Sequence, residues 1–376
     1  MQSVAPITTD LVLLGAGHAH VEVLRRFAMR PERGVRLTLI AREPHTPYSG
    51  MLPGLIRGEY GFDQAHIDLA PLASAAGARL ILAEATGIEL AARSVEVAGR
   101  PAVGFDLLSI DVGGVPAMPE GGGVPVKPIG QFLDRLTALE ASLPEGSRIA
   151  VVGGGPAGSE LALALARRFG GRLRLVLVTA AAEPLADAPS RARGVARAAL
   201  VEAGVEIVCA VEASGLSQGR LRLSDGSFLE ADAALWATGV IGPGLLARSG
   251  LACDAAGCVR VAPTLRSISD QAVFAAGDCA SVEGAWRPKA GVWAVRAGVV
   301  LAGNLRRAVR RRPLKRWSPQ KQALVILGLG DGRALAWRNG MAVWGRPVWH
   351  WKDWIDRRWM RMYSIRMTAA PGETMR

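Results

Sequence analysis

Two glycine-rich turns carry the most legible chemistry in this sequence. Gly153, Gly155 and Gly158 stand as GxGxxG within VVGGGPAGSE. Gly15 and Gly17 begin a second such turn in LLGAGHAH, where His20 takes the place of the third glycine. Glycines at this spacing allow a tight turn and a close approach of backbone N–H groups to a pyrophosphate, at which the following helix aims its partial positive charge. The simpler alternative, a glycine turn without a ligand, is weakened because the turn is repeated and lies both times between an apolar run and a helix-period run. A third point is Gly277-Asp278 in FAAGDCA. A carboxylate at a strand-to-helix turn accepts hydrogen bonds from a hydroxyl-rich chain, and the next helix points its positive end at the same ligand. An ordinary helix N-cap aspartate is the competing reading. His18 and His20 make no metal pair, because residues i and i+2 of a helix point apart. They are expected to be structural or to lie beside a ligand, and no metal site is expected.

These residues need elements to hold them. TDLVLLGAGHAHVEVLRRF (9–27) and SRIAVVGGGPAGSELALALARRF (147–169) share one pattern of apolar run, turn and helix. A further strand follows each, VRLTLIA (35–41) and LRLVLVT (173–179), and ends 26 residues after the first turn glycine in both copies. The sequence therefore predicts two βαβ units, each able to hold a dinucleotide. His20 should loosen the first helix on its strand, or tilt it. Neither second strand ends in the acid that would grip a ribose. Ala41 and Thr179 sit there, with Glu43 two residues beyond the first. NADH and NADPH both stay open for the second unit, with a lean to NADH. Short strands are expected over 86–112, ending in FDLLSIDVGGVP (105–116), which pairs in pattern with ADAALWATGVIGP (231–243), the run containing Thr238 and Gly239. A strand leads into Gly277-Asp278, a helix is expected over 285–312, strands over 317–345 and an amphipathic helix over 348–363. The fold class is α/β: two nested, Rossmann-like, three-layer dinucleotide-binding domains with a small C-terminal α+β tail.

The chain has 376 residues, half of them apolar, enough for two or three domains and a large core. A disordered or fibrous protein is excluded. No run of eighteen apolar residues is present, so no spanning helix is expected, and MQSVAPITTD lacks the pattern of a signal peptide. Four cysteines without CxxC fit a reducing compartment, so a cytoplasmic location is expected. The net charge of +12 is uneven. Residues 305–376 hold 17 Lys/Arg against 4 Asp/Glu, which is +13 and leaves −1 for the rest. Such a patch suits lipid headgroups; no nucleic-acid-binding motif accompanies it, and no nucleic-acid partner is expected. Seven of ten tryptophans lie within 317–359. On a helical wheel Val348, Trp351, Ile355, Trp359 and Met362 share a face, Trp354 lies at its edge, and Lys352, Arg357 and Arg361 lie off it. Trp flanked by Arg and Lys is the pattern of an in-plane membrane helix, and RRAVRRRPLKR (306–316) would add attraction to anionic lipid. The competing reading is a helix packed on the protein's own core with a solvated basic face.

The order GAGHAH, FDLLSIDVGG, GGGPAGSE, LWATG, FAAGDCA resembles the pyridine nucleotide-disulfide oxidoreductase superfamily over nearly the whole chain. Within it, the tail is similar to type II NADH dehydrogenases and sulfide:quinone oxidoreductases. TPYSGMLPGLIRGEY (46–60) and WKDWIDRRWMRMY (351–363) resemble a subfamily found alone or fused to selenophosphate synthetase. The resemblance implies FAD in a domain formed by 1–118 and 250–312, NADH or NADPH in 119–249, and a tail over 313–376 that carries the membrane-associating helix. It implies that Gly15, Gly17, Glu43, Gly277 and Asp278 hold FAD with His18 beside it. Tyr48, Ser49, Gly50, Met51, Leu52 and Pro53 would line the isoalloxazine, in a loop stiffened by Pro47 and Pro53. Gly153, Gly155, Gly158, Thr238 and Gly239 would hold the nicotinamide nucleotide. Glu160 matches a glutamate near nicotinamide and flavin in the dehydrogenases; the plainer reading is a first-turn acid favoured by the helix dipole. Lys289 matches a lysine beside the flavin in the sulfide enzymes, and Glu160 and Lys289 are the catalytic candidates. Two departures stand out. The only CxxxxC spacing, Cys253 to Cys258, falls beyond the second unit, so no redox-active disulfide is expected. Val292 stands where type II dehydrogenases have a quinone-side glutamine. The implied function is electron transfer from NAD(P)H through FAD to a lipophilic acceptor such as quinone, at the inner face of the cell membrane. The alternatives are a soluble flavin reductase of selenium or sulfur metabolism, and a flavin-binding module without turnover.

Overall fold

A computed structural model describes residues 6–119, 121–285 and 287–364. Its centre is a pair of parallel five-stranded sheets that share the order of four strands and differ in where the chain supplies the edge strand. In the first, strands run 273–275, 107–110, 9–14, 35–41 and 78–82 across the sheet; in the second, 124–125, 233–236, 148–152, 174–178 and 205–208. The first sheet takes its edge strand, Val273–Ala275, from chain that follows the whole second sheet, so the second unit is inserted within the first. The central strands are apolar along their lengths, Leu11–Leu14 and Ile149–Val152 being buried. Parallel strands covered on both faces require that, because neither side meets water. Each unit also carries a three-stranded antiparallel sheet, 85–104 in the first and 213–230 in the second.

The glycine turns fall at the carboxyl ends of the first strands, where helices His18–Met29 and Pro156–Phe169 begin. Helix Gly291–Val309 packs across helix 18–29, and Gly298 permits their approach: a Cβ there would stand 2.8 Å from the Ala19 carbonyl oxygen. The helix expected over 285–312 thus begins later, at Gly291. Pro288 disfavours helical geometry at the residue before it; upstream of the expected span, Ala280–Val282 forms a strand. Strand structure expected from residue 317 begins at Val325. Further upstream, buried Asn304 anchors the chain at Lys315, its amide donating to the Thr264 and Lys315 carbonyls.

The tail ties the two units together. Its antiparallel strands Val325–Gly328, Ala334–Arg338 and Met341–Gly345 lie against helices 156–169 and 190–202 of the inserted unit. Helix Arg346–Arg361 then returns to the first unit. Asp353 accepts from the Tyr60 hydroxyl at 2.8 Å, and the Tyr363 hydroxyl donates to Glu22 at 2.8 Å. Glu22 is buried and also paired with Arg25 and Arg26, so Tyr363→Phe should remove one bond of several and cost about 1 kcal/mol of unfolding free energy, read by urea denaturation.

The apolar helical face read from the sequence is divided in the structure. Val348 and Trp359 are buried in the protein, Ile355 is half-buried, and Trp351, Trp354 and Met362 are exposed. Lys352, placed off the apolar face, is buried, and so is Asp356 one turn on. The reason is that each finds a partner inside: Lys352 Nζ donates to Asp356 at 2.8 Å and to the Gly50 carbonyl at 2.6 Å. A buried charge is tolerated where it is paired and hydrogen-bonded. No helix among the described residues is long and apolar enough to cross a membrane.

Candidate functional site

At the first turn Gly15 takes φ of +90°, and a Cβ on it would stand 2.5 Å from the Asp111 carbonyl oxygen. Gly17 precedes the helix without supplying a side-chain cap. The cap comes from Asp111, at the end of strand Leu107–Ile110, whose carboxylate accepts from the N–H groups of Ala19 (2.8 Å) and His20 (3.0 Å). The Asp111 carbonyl accepts from Gly17 N–H at 3.0 Å. The N–H groups of Ala16 and His18 have no acceptor among the described residues. Burial raises the Asp111 carboxyl to about 7 against the two N–H bonds, and Asp278 adds to the rise. Nothing local to FDLLSIDVGG singles Asp111 out, because only the fold carries it to the helix terminus.

His20 solves the missing third glycine by polar packing. Its ring pairs with the Gly15 carbonyl at 2.6 Å and with the Ser109 hydroxyl at 2.8 Å, and burial lowers its pKa to about 4. In the second unit a Cβ on Gly158 would overlap the Gly153 carbonyl, which is why glycine stands there. His18 is likewise held neutral: burial takes it to about 4, although Asp278 pulls the other way. Its Nε2 is buried with no partner among the described residues. Asp278 lies on the one-turn helix Gly277–Cys279 and pairs with Lys127 at 2.5 Å. Gly277 packs against the Asp111 carboxylate. Gly15, Gly17, His18, Gly277 and Asp278 are thus brought together around Asp111. Glu43 stands apart, beside Gly130 and in a 3.5 Å pair with Arg42.

At the second turn Gly153 takes φ of +124° beneath the Ala237 carbonyl. A Cβ on Gly155 would meet nothing within 4 Å. The N–H groups of Gly155, Ala157 and Gly158 have no acceptor among the described residues, and Thr238 Oγ1 is buried without one. Open space at the second glycine, free donors at the helix start and an unpaired hydroxyl opposite fit a dinucleotide's diphosphate. The free Ala16 and His18 N–H groups and the unpaired His18 Nε2 give the first turn a polar cradle of its own.

Between the turns lies a buried charged cluster. Tyr48–Met51 forms a turn and Leu52–Ile56 a short helix with Pro53 near its start. Trp359 stacks on Tyr48 with ring centroids 4.1 Å apart, and His18 faces both rings. Glu160 accepts from Gly328 N–H at 2.7 Å; burial raises its pKa against the pull of Lys352 and Arg57. Asp356 is also raised by burial, against Lys352. Burial alone would lower Lys352, but Glu160 and Asp356 reverse the sign and raise it. The Arg57 side chain is buried and forks onto Glu59 at 2.9 and 2.7 Å, and its Nη1 has no partner among the described residues. Sequence reasoning missed Lys352, Asp356 and Arg57 as site residues; the alternation of charge in WKDWID was the available signal for the first two, and Lys352 was read only as a residue off the membrane-facing side. Lys289 lies elsewhere, donating to the Ala280 carbonyl at 2.6 Å near Cys258. The four cysteines are free thiols, and burial raises Cys253, Cys258 and Cys279.

Similar proteins share this fold. A sulfide:quinone oxidoreductase from Aquifex aeolicus superposes with a TM-score of 0.77 at 16% identity, over 95% of this chain and 91% of that one. Among curated proteins, the probable ferredoxin reductase CtmF of Castellaniella defragrans is 27% identical over 71% of this chain and 67% of its own length. The demethylphylloquinone reductase NdbB of Synechocystis sp. is 27% identical over 70% of this chain and 72% of its own. Residues 9–298 match the pyridine nucleotide-disulphide oxidoreductase family as a whole. The chain belongs to that family and is an FAD-dependent oxidoreductase that works with NADH or NADPH and without a redox-active disulfide among its described residues.

Proposed function

We propose that this enzyme passes electrons from NADH or NADPH through FAD to a quinone at a membrane surface. FAD is assigned to the first unit, held at Gly15, Gly17, Gly277 and Asp278, and the nicotinamide nucleotide to the inserted unit, held at Gly153, Gly155, Gly158, Thr238 and Gly239. Bound FAD supplies the hydride-accepting and electron-passing chemistry; the chain supplies position and charge. Its Tyr48–Pro53 turn lines the flavin, Glu160 holds a proton close to the acceptor, and Lys289 offers positive charge.

The observation that carries the acceptor is the two-faced helix Arg346–Arg361. Its inner face is bonded to the flavin turn through Lys352 and Gly50 and stacked on it through Trp359 and Tyr48. Its outer face presents Trp351, Trp354 and Met362 with Arg358 and Arg361, and Met341, Val343 and Trp344 extend the apolar exposure on the neighbouring strand. An aromatic face rimmed by arginine suits the lipid interface, so one helix joins the surface a lipophilic acceptor would cross to the turn beside the flavin. The names of NdbB and of the Aquifex enzyme support a quinone.

A second reading has its own support. The segments resembling the selenophosphate-synthetase-fused subfamily, 46–60 and 351–363, meet through Tyr48–Trp359 and Tyr60–Asp353 and so form one module, for which a sulfur or selenium compound would be the acceptor. An anaerobic titration with NADH and with NADPH, following the visible flavin band, tests both. Bleaching followed by recovery on adding a soluble quinone is the expected result. Recovery with polysulfide or selenite and none with quinone would replace the first reading by the second.

A further inference from the structure

The two units contain an internal control. Strand, turn and helix correspond residue for residue: Gly17 to Gly155, Ala19 to Ala157, His20 to Gly158, and Asp111 to Ala237, since Gly15 and Gly153 lie equally under the Asp111 and Ala237 carbonyls, 2.5 Å from an ideal Cβ. In the inserted unit the N–H groups of Gly155, Ala157 and Gly158 have no acceptor among the described residues. In the first unit the three equivalent N–H groups are all taken by Asp111, one by its carbonyl and two by its carboxylate. A side-chain anion therefore occupies the donors to which a dinucleotide diphosphate is drawn in such a unit. The donors left over, Ala16 and His18 N–H, flank it on the same helix start.

We propose that Asp111 sets the affinity of the first unit for FAD by competing with the diphosphate for one helix N-terminus, so that FAD binds with Asp111 protonated and takes up a proton from solvent as it does so. The inference rests on the assignment of FAD to the first unit. Two anions cannot share the positive end of one helix in a water-poor site without mutual repulsion. The carboxyl can be neutralised; the diphosphate cannot. The surroundings make neutralisation accessible. Asp111 is buried and faces Asp278 and Cys279 from the 277–279 turn and His18 and His20, both held neutral, from the helix. Lys127 is paired with Asp278, and Lys289 is bound to the Ala280 carbonyl. The protonated carboxyl keeps one oxygen for Ala19 and His20 and turns an O–H donor toward the flavin nucleotide, converting a repulsive neighbour into a hydrogen-bond donor.

The sign follows from linkage. A site that binds ligand only with its acid protonated binds more weakly as pH rises above the free acid's pKa, by up to about tenfold in Kd per pH unit for one proton. The test dilutes FAD-loaded protein at a series of pH values between about 6 and 9 and measures released FAD by its fluorescence, in wild type, Asp111→Asn and Asp278→Asn; titration calorimetry of wild type in buffers of different ionisation enthalpy counts the protons. The expected result is a wild-type Kd flat at low pH and rising above about pH 7, a flat and tight profile for Asp111→Asn, whose amide accepts from the helix and donates to the ligand at every pH, and proton uptake approaching one per FAD above that pH. A pH-independent wild-type Kd with no proton uptake overturns the proposal even if Asp111→Asn does not fold. If Asp278→Asn weakens FAD in that case, the first-unit assignment survives alone; if neither variant changes FAD affinity at any pH, that assignment falls as well.

Discussion

Replacing Lys352 by methionine is expected to lower the unfolding free energy by about 3–5 kcal/mol at neutral pH, because it strands buried acids without their cation. Lys352 bonds Asp356 and the Gly50 carbonyl, and both Asp356 and Glu160 feel its charge. Methionine fills much the same space, so the loss is electrostatic rather than a cavity effect. The pH dependence fixes the sign. Glu160 and Asp356 already sit above their ordinary carboxylate values, burial being the first cause in each. Removing the ammonium raises them further, and acids with raised folded pKa values lose stability as pH climbs from the unfolded value toward the folded one. The deficit of Lys352→Met against wild type should therefore be small near pH 5 and large near pH 8, in about the window between ordinary and raised carboxylate values. Urea denaturation at the two pH values reads it directly. Equal midpoints for mutant and wild type at both would mean that the helix Arg346–Arg361 docks on the flavin turn by its aromatic contacts alone.

That helix also shows where sequence reading stopped. The two βαβ units, their nesting and the position of each glycine turn were legible, because apolar runs, turns and helix-period patterns are local and occur twice. The tail helix was legible as a helix, but not in its orientation. A hydrophobic wheel assumes that polar residues seek water, and Lys352 and Asp356 break the assumption by satisfying each other inside. Their other partners, the Gly50 carbonyl for Lys352 and the Tyr48 hydroxyl, which donates to Asp356, lie some three hundred positions away in sequence, and nothing local marks them. Asp111 was hidden for the same reason: it stands in an ordinary strand end, and only the return of that strand beside the first turn places its carboxylate on the helix. His20 looked like a defect in a motif and is a hydrogen-bonded replacement, a distinction that requires knowing that Ser109 lies opposite.

The same hidden residue separates two glycines that the motif treats as one. Gly17 and Gly155 both occupy the second motif position, both have φ values that alanine adopts without strain, −65° and −71°, and substitution should nevertheless fail for different reasons. A Cβ on Gly17 falls inside the Asp111 carboxylate; one on Gly155 meets no protein atom within 4 Å. Gly17→Ala must push Asp111 from the helix start, leaving the Ala19 and His20 N–H groups unpaired in a buried site. Overpacking and orphaned donors together are expected to cost about 2–5 kcal/mol even without ligand. Gly155→Ala should leave the unliganded protein within about 0.5 kcal/mol of wild type, or slightly more stable, since alanine restricts the unfolded chain. Its cost appears only with nucleotide: the added methyl stands where a diphosphate must approach the backbone, so NADH and NADPH should bind at least about tenfold more weakly, a loss of roughly 1.4 kcal/mol or more. Thermal melts of the unliganded proteins and calorimetric titration with each nucleotide separate the two. If Gly155→Ala keeps wild-type nucleotide affinity, the diphosphate does not sit at that turn. If Gly17→Ala melts with wild type, the Asp111 carboxylate is not fixed where the second glycine needs it, and a glycine there would answer to the cofactor alone.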